Sequence, residues 1–220
     1  MGQYKLFQYK LLALDLDGTL TNSEKKISEK NKKYIKKAQE KGVSIILASG
    51  RPVLGIQKIA DELNLKQMGG YILAYNGGQI IDCKTGKDLI RQMVPQKYYA
   101  DICSINRFFQ VYPLTYNKNG VICEDDESPY VKKEAFNNSI PIIKVDSLID
   151  YVKEPVVKFM VVGEPKELDR AYRYMKEKFA GKLNIFFSEP YFLEVAPPNI
   201  EKSSALKKLL EILNIKRNEL

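Results

Sequence analysis

Two aspartates, Asp15 and Asp17, stand two residues apart at the end of the apolar run in LLALDLDGTLTNS, Leu11 to Ser23. In an extended strand, side chains at i and i+2 point to the same side, so both carboxylates can face one pocket. Like charges that close repel, and such a pair calls for a cation, a proton or a shared chemical task. An aspartate can act as a nucleophile through a covalent acyl-phosphate, and a neighbouring carboxylate can serve as general acid and base. A hard cation such as magnesium prefers oxygen ligands and would offset the repulsion between carboxylate and phosphate. Gly18 allows a tight turn, and a hydroxyl side chain with backbone N–H groups could cradle phosphate oxygens. Lys202, opening a helix, would add a point charge where a helix N-terminus already favours anions.

The composition narrows the chemistry. The 220 residues contain no histidine, which removes every Ser-His and Cys-His mechanism and leaves acid–base work to carboxylates, Lys, Tyr or Cys. Three widely spaced cysteines, Cys83, Cys103 and Cys123, suit reduced thiols in a cytoplasmic protein better than a disulfide framework or a zinc site. The net charge of +8 is spread over lysine-rich helix faces, so solvated surfaces are expected rather than a nucleic-acid partner. No apolar run reaches the length of a membrane span, and MGQYKLFQYK has neither the apolar core nor the cleavage site of a secretion signal.

The elements that must position these residues follow from pattern. Lys10 to Leu16 reads as a strand buried on both faces. Ser28 caps a helix whose apolar face carries Ile27, Tyr34, Ile35 and Ala38 and which Gly42 closes. A second strand, Val43 to Leu47, runs into Ala48-Ser49-Gly50-Arg51-Pro52, and a helix over Val53 to Leu63 leads to a third, Tyr71 to Ala74, ending in Tyr75-Asn76-Gly77-Gly78. Alternation of strand and helix predicts an α/β fold with a doubly wound parallel sheet, its ligand beyond the carboxyl ends of the strands. DLDGT, ASGRP and YNGG should therefore converge. From about Gln79 the pattern shifts to hairpins and scattered helices, enough for a second domain, before a last helix over Ser203 to Leu213.

In this order, LALDLDGTLTNSEKKISEKNKKYIKKAQEKGVSIILASGRP, YILAYNGGQII and FLEVAPPNIEKSSALKKLLEILNI resemble the haloacid-dehalogenase superfamily of phosphatases. The likeness is to the Cof-type branch, in which a large α/β cap is inserted into a Rossmann-like core. The resemblance implies core segments at residues 1–82 and 189–220 around a cap at residues 83–188. It implies that Asp15 is the nucleophile and a magnesium ligand. Asp17 would be the general acid and base, its backbone carbonyl also meeting the metal. Ser49 and Lys202 would hold the transferring phosphoryl group, helped by Gly18, Thr19 and Gly50. Asn76 and Gly77 would line the substrate entrance, and Arg51 would touch substrate or bridge the domains. The cap would set specificity, with Tyr112, Tyr116, Asn117, Asp125 and Glu127 as candidate contacts.

The implied activity is magnesium-dependent hydrolysis of a small phosphorylated metabolite, such as a sugar phosphate, through an aspartyl-phosphate. A phosphomutase of the same superfamily and a catalytically silent phosphate-binding protein are the alternatives. The family's acidic GDxxND-like loop has no counterpart before Leu220. The core is therefore expected to be incomplete at its C-terminus, and the sequence to be the front part of a longer product.

Overall fold

The computed structural model describes residues 9–220. The chain divides into two compact units, one formed by residues up to Gly50, Ile56–Ile90 and Glu201–Leu220, the other by Arg51–Gly55 and Arg91–Ile200.

The first unit is built on a five-stranded sheet in the order β1-β2-β3-β4-β5. Its strands are β1 (Leu11–Asp15), β2 (Ser44–Ala48), β3 (Gly70–Ala74), β4 (Gln79–Asp82) and β5 (Asp88–Arg91). β1, β2 and β3 run parallel, as the strand–helix alternation predicts, and β4 returns antiparallel to β3. Between them lie α1 (Glu29–Glu40), α2 (Val53–Glu62) and the single turn α3 (Leu65–Met68). Ser28 Oγ accepts from Asn31 N–H at 3.2 Å as the expected N-cap of α1. Ile27 and Ile35 of that helix face are buried, but Tyr34 is 60% exposed, since it lies a quarter-turn away from the buried stripe.

The expectation that β1 is buried on both faces fails. β1 is an edge strand among the described residues, and Leu12, whose side chain projects from one face of the sheet, is 37% exposed. The core of this unit joins Leu11, Ile46, Ala48, Leu73 and Ile80 of the sheet to Ala205, Leu209 and Leu210 of α8 (Lys202–Ile212).

The second unit has a six-stranded sheet in the order β10-β11-β9-β6-β7-β8. Its strands are β6 (Val111–Asn117), β7 (Gly120–Cys123), β8 (Ile142–Lys144), β9 (Phe159–Gly163), β10 (Asn184–Glu189) and β11 (Phe192–Ala196). Pairing is antiparallel except between β7 and β8. α4 (Tyr99–Cys103), α6 (Leu148–Tyr151) and α7 (Pro165–Lys178) bury Ile102, Leu148, Leu168, Ala171 and Met175 against Val111, Ile122, Phe159, Val161, Leu193 and Val195 of the sheet. α5 (Pro129–Asn138) is the remaining helix of this unit.

Two boundaries differ from the expectation. β5 follows the Lys84–Lys87 turn and still belongs to the five-stranded sheet, so the first stretch of that unit runs to Ile90. β11, expected in a segment beginning at residue 189, pairs with β10 and β9, and the chain leaves the second unit only after Ile200. Alternating Leu193 and Val195 would suit either sheet, and it is the apolar cluster with Phe159 and Val161 that captures them. Residues 96–108 hold the short α4 flanked by 3-10 turns at Gln96–Tyr98 and Ile105–Arg107 rather than one continuous helix.

Candidate active site

Asp15 ends β1 in register with Ala48, the last residue of β2. Beyond it the chain folds back on itself. Leu20 N–H donates to Asp15 O at 3.1 Å, and Thr21 donates to Leu16 O at 2.9 Å through both N–H and Oγ1. Leu16 and Leu20 are buried and anchor this turn, so Asp17, Gly18 and Thr19 between them are held at the surface. Gly18 has φ of 76°, the left-handed region that other residues enter at a cost.

Lys202 is the first residue of α8, and its Nζ donates to Asp15 Oδ1. Each of the two side chains is 39% exposed, so the pair is partly desolvated and still open to a ligand. Asp17 Oδ1 meets Lys25 Nζ at 2.7 Å, an ion pair that the sequence reading missed. The turn that presents Lys25 is an Asx-type loop in which Asn22 Oδ1 accepts from the N–H groups of Glu24 and Lys26, both at 3.0 Å, with Lys25 itself at φ 61°. The signal was available in NSEKK, but which lysine would meet Asp17 depended on that left-handed residue. Gly18, Thr19, Asn22 and Lys25 line a cavity of about 490 Å³ in the same unit.

Ser49 follows β2 and is buried, its N–H donating to Leu73 O at 2.9 Å and its carbonyl accepting from Asn76 N–H at 3.0 Å. Asn76 is left-handed (φ 56°, ψ 25°) inside the 3-10 turn Tyr75–Gly77, and its amide stands so near Gly50 that a Cβ there would lie 3.1 Å from Asn76 Oδ1. Gly77 has φ of 100°, and a Cβ on it would lie 2.3 Å from Ala205 Cβ. That glycine lets the Tyr75–Gly77 turn touch the first turns of α8, the helix that carries Lys202. The ends of β1, β2 and β3 and the start of α8 are thus tied together within one unit. Arg51 falls in the other unit, where Nη1 donates to Gly55 O at 3.4 Å.

Among the described residues no group of three or more His, Cys, Asp or Glu side chains comes together as a metal site. The donors available here are the Asp15 carboxylate and the Asp17 main-chain carbonyl, both hard oxygens. They fit magnesium in type, since that ion keeps several waters and takes only one or two carboxylates besides substrate phosphate oxygens.

The fold is that of an α/β hydrolase with a Rossmann-like core. The chain belongs to the haloacid dehalogenase-like hydrolases, whose family model matches residues 12–220. It is similar to the crystal structure of a haloacid dehalogenase-like hydrolase from Bacteroides thetaiotaomicron, with a TM-score of 0.94 and 39% identity over 96% of this chain and 80% of that one. TM0651 from Thermotoga maritima superposes with a TM-score of 0.85 at 26% identity, covering 96% of this chain and 78% of its own. Phosphatase YwpJ of Bacillus subtilis is 23% identical over 239 residues, 96% of this chain and 81% of that protein. Membership agrees with the resemblance carried by the three sequence motifs.

Proposed function

We propose that this hydrolase is a magnesium-dependent phosphatase that cleaves a small phosphorylated metabolite, with a sugar phosphate as the leading class, through an aspartyl-phosphate on Asp15. The observation that carries the reading is the contact of Lys202 Nζ with Asp15 Oδ1, with Asp17 two residues further on. The name of the similar protein YwpJ, a phosphatase, supports it.

In this reading an Asp15 carboxylate oxygen attacks phosphorus, and the bond from phosphorus to the ester oxygen breaks. The departing oxygen takes its proton from Asp17. Water then attacks the acyl-phosphate, Asp17 recovers a proton from it, and inorganic phosphate leaves with Asp15 restored. Lys202 holds Asp15 and offsets charge on the incoming phosphate. Ser49, Gly18, Thr19 and Gly50 offer hydroxyl and N–H donors to the phosphoryl oxygens, and Asn76 and Gly77 border the substrate. The second unit serves as the cap, with Arg51 at its root. Magnesium held by the Asp15 carboxylate and the Asp17 carbonyl would supply Lewis-acid neutralisation of the phosphate. The three free thiols suit a reducing, cytoplasmic setting.

The test is phosphate release from p-nitrophenyl phosphate and a panel of phosphorylated metabolites, with and without magnesium. Turnover that Asp15→Asn abolishes supports the reading. Turnover that survives Asp15→Asn overturns the nucleophile assignment, and no turnover on any substrate overturns the activity.

A further inference from the structure

Residues 22–26 form a closed loop beside the DLDGT turn. Asn22 N–H donates to Lys26 O at 3.0 Å, and Lys25 N–H donates to Asn22 O at 2.9 Å. Asn22 Oδ1 adds its two bonds from the N–H groups of Glu24 and Lys26. The base of the loop is fixed by isolated β-bridges that join Thr21 both to Ile27 and to Asp17. Thr21 and Ile27 are buried. The main chains of Asp17 and Lys25 therefore share one small frame, wholly within the first unit.

Within that frame Lys25 sits at φ 61°, a backbone region that is costly for a residue with a Cβ. Among the described non-glycine residues with positive φ, Lys25 is the one that carries a charge; the others are asparagines, a serine and a tyrosine. Glycine or asparagine would hold this turn at lower cost, so the turn alone does not account for a lysine. The Lys25 ammonium reaches Asp17 Oδ1 at 2.7 Å, and the two side chains are 44% and 43% exposed. A pair that open to water adds little to stability. Backbone strain held by the surrounding structure clusters instead at functional sites, where it fixes a geometry. Lys25 also lines the same cavity as Gly18 and Thr19, two residues proposed above to meet the phosphoryl group.

We infer that Lys25 is a positioning residue for the hydrolysis: it holds the Asp17 carboxyl in the place from which the leaving oxygen takes its proton. Both main chains are fixed, so a bond from the ammonium to Oδ1 restricts the rotation of the Asp17 side chain. A carboxyl oxygen can accept from an ammonium whether the group is charged or neutral, so the hold persists while the proton departs and returns. Lys25 acts through Asp17 and does not itself meet the reacting atoms. Its contribution is orientation, which counts only in a step that Asp17 performs. The effect of losing it must therefore follow the leaving group's need for a proton.

This inference rests on the phosphatase reading, and the wild type separates the two. The wild type, Lys25→Met, Lys25→Arg and Lys26→Met are assayed on two kinds of ester. Glycerol and hexose phosphates leave as alkoxides that must be protonated, whereas the phenolate of p-nitrophenyl phosphate departs without a proton. Lys25→Met should lower the ratio of kcat/KM for the alkyl ester to kcat/KM for p-nitrophenyl phosphate by about threefold or more. Lys25→Arg, which can still donate to Oδ1, should restore most of the ratio. Lys26→Met should keep it, because Lys26 pairs with Glu24 at 3.1 Å in the same loop. Both values in the ratio come from one protein sample, so a partly unfolded variant lowers them alike and leaves the ratio unmoved. A smaller fall in Lys25→Met, an equal loss on both esters, a ratio that rises, or no recovery in Lys25→Arg overturns the role. So does a wild type that hydrolyses p-nitrophenyl phosphate and no alkyl ester, since no proton is then being delivered. A wild type that hydrolyses neither overturns the phosphatase reading itself, and this role falls with it.

Discussion

Lys202 and Asp15 are separated by 187 positions in the chain, yet the ammonium of one donates directly to the carboxylate of the other. The contact joins the end of the first strand to the start of the last helix. If Lys202 offsets charge on the phosphate, as proposed, losing it removes stabilisation where negative charge accumulates. Lys202→Met should lower kcat by about 10²- to 10³-fold, the effect of deleting one preorganised donor. Steady-state kinetics with p-nitrophenyl phosphate reads this, and a change of only a few fold would contradict the role.

Asp17 is predicted to matter in proportion to how badly the leaving group needs a proton. Asp17→Asn should cut kcat/KM for glycerol phosphate by about 10²- to 10⁴-fold. The loss for p-nitrophenyl phosphate should be much smaller, because p-nitrophenolate departs unprotonated. Equal losses on the two esters would remove Asp17 from the acid role. The Lys25 ion pair is exposed on both sides and is worth under about 1 kcal/mol, so Lys25→Ala should barely move the melting temperature.

Gly77 is a steric prediction. Alanine there meets Ala205 Cβ at 2.3 Å in a backbone with φ of 100°. Overpacking and a left-handed non-glycine residue together should cost about 2–4 kcal/mol. Denaturant unfolding measures it. Adding Ala205→Gly should return part of the loss, because the two methyl groups compete for one space.

The cysteines should be inert in the folded chain. Burial pushes the thiols of Cys83 and Cys123 up to about 11 and that of Cys103 up to about 12, with nearby carboxylates adding to the effect. At pH 8 the thiolate fraction at a pKa near 11 is about 10⁻³, so iodoacetamide should label them quickly only in denaturant. The same shift has a stability consequence. It favours the fold fully below the ordinary thiol value of 9.0 and is lost as pH rises through about 11, so stability should decline across that alkaline window. Rapid native labelling at pH 8, followed by mass spectrometry, would sink this.

Glu134 makes a prediction of the same form at lower pH. Burial raises its pKa above the ordinary 4.5, against the opposing pull of Lys158 and the hydrogen bond from Tyr116. Its favourable contribution is complete below 4.5 and fades as pH climbs through the raised value. Glu134→Gln should therefore gain on the wild type in melting temperature as pH increases from 4.5 to 8. A gap that stays constant or narrows would contradict the assignment.

Some of this molecule was decided by sequence alone. The i, i+2 spacing of Asp15 and Asp17, the cap at Ser28, the left-handed glycines and the parallel order of the first three strands are local or nearly local, and periodicity exposes them. The absence of histidine confined any acid–base chemistry to other groups before any coordinate was known.

Tertiary structure decided which element each apolar strand would join. Phe192–Ala196 carries an alternation that fits either sheet, and only the cluster around Phe159 and Val161 draws it into the second unit. It also decided the ionic partners. Asp17 takes Lys25 because one residue turns left-handed, Asp15 takes Lys202 because a helix start is seated at the end of β1, and Lys158 takes Glu194 because the start of β9, which Lys158 precedes, lies beside β11. Charge pairing depends on distance in space, and composition and periodicity carry no record of which distant segments will meet.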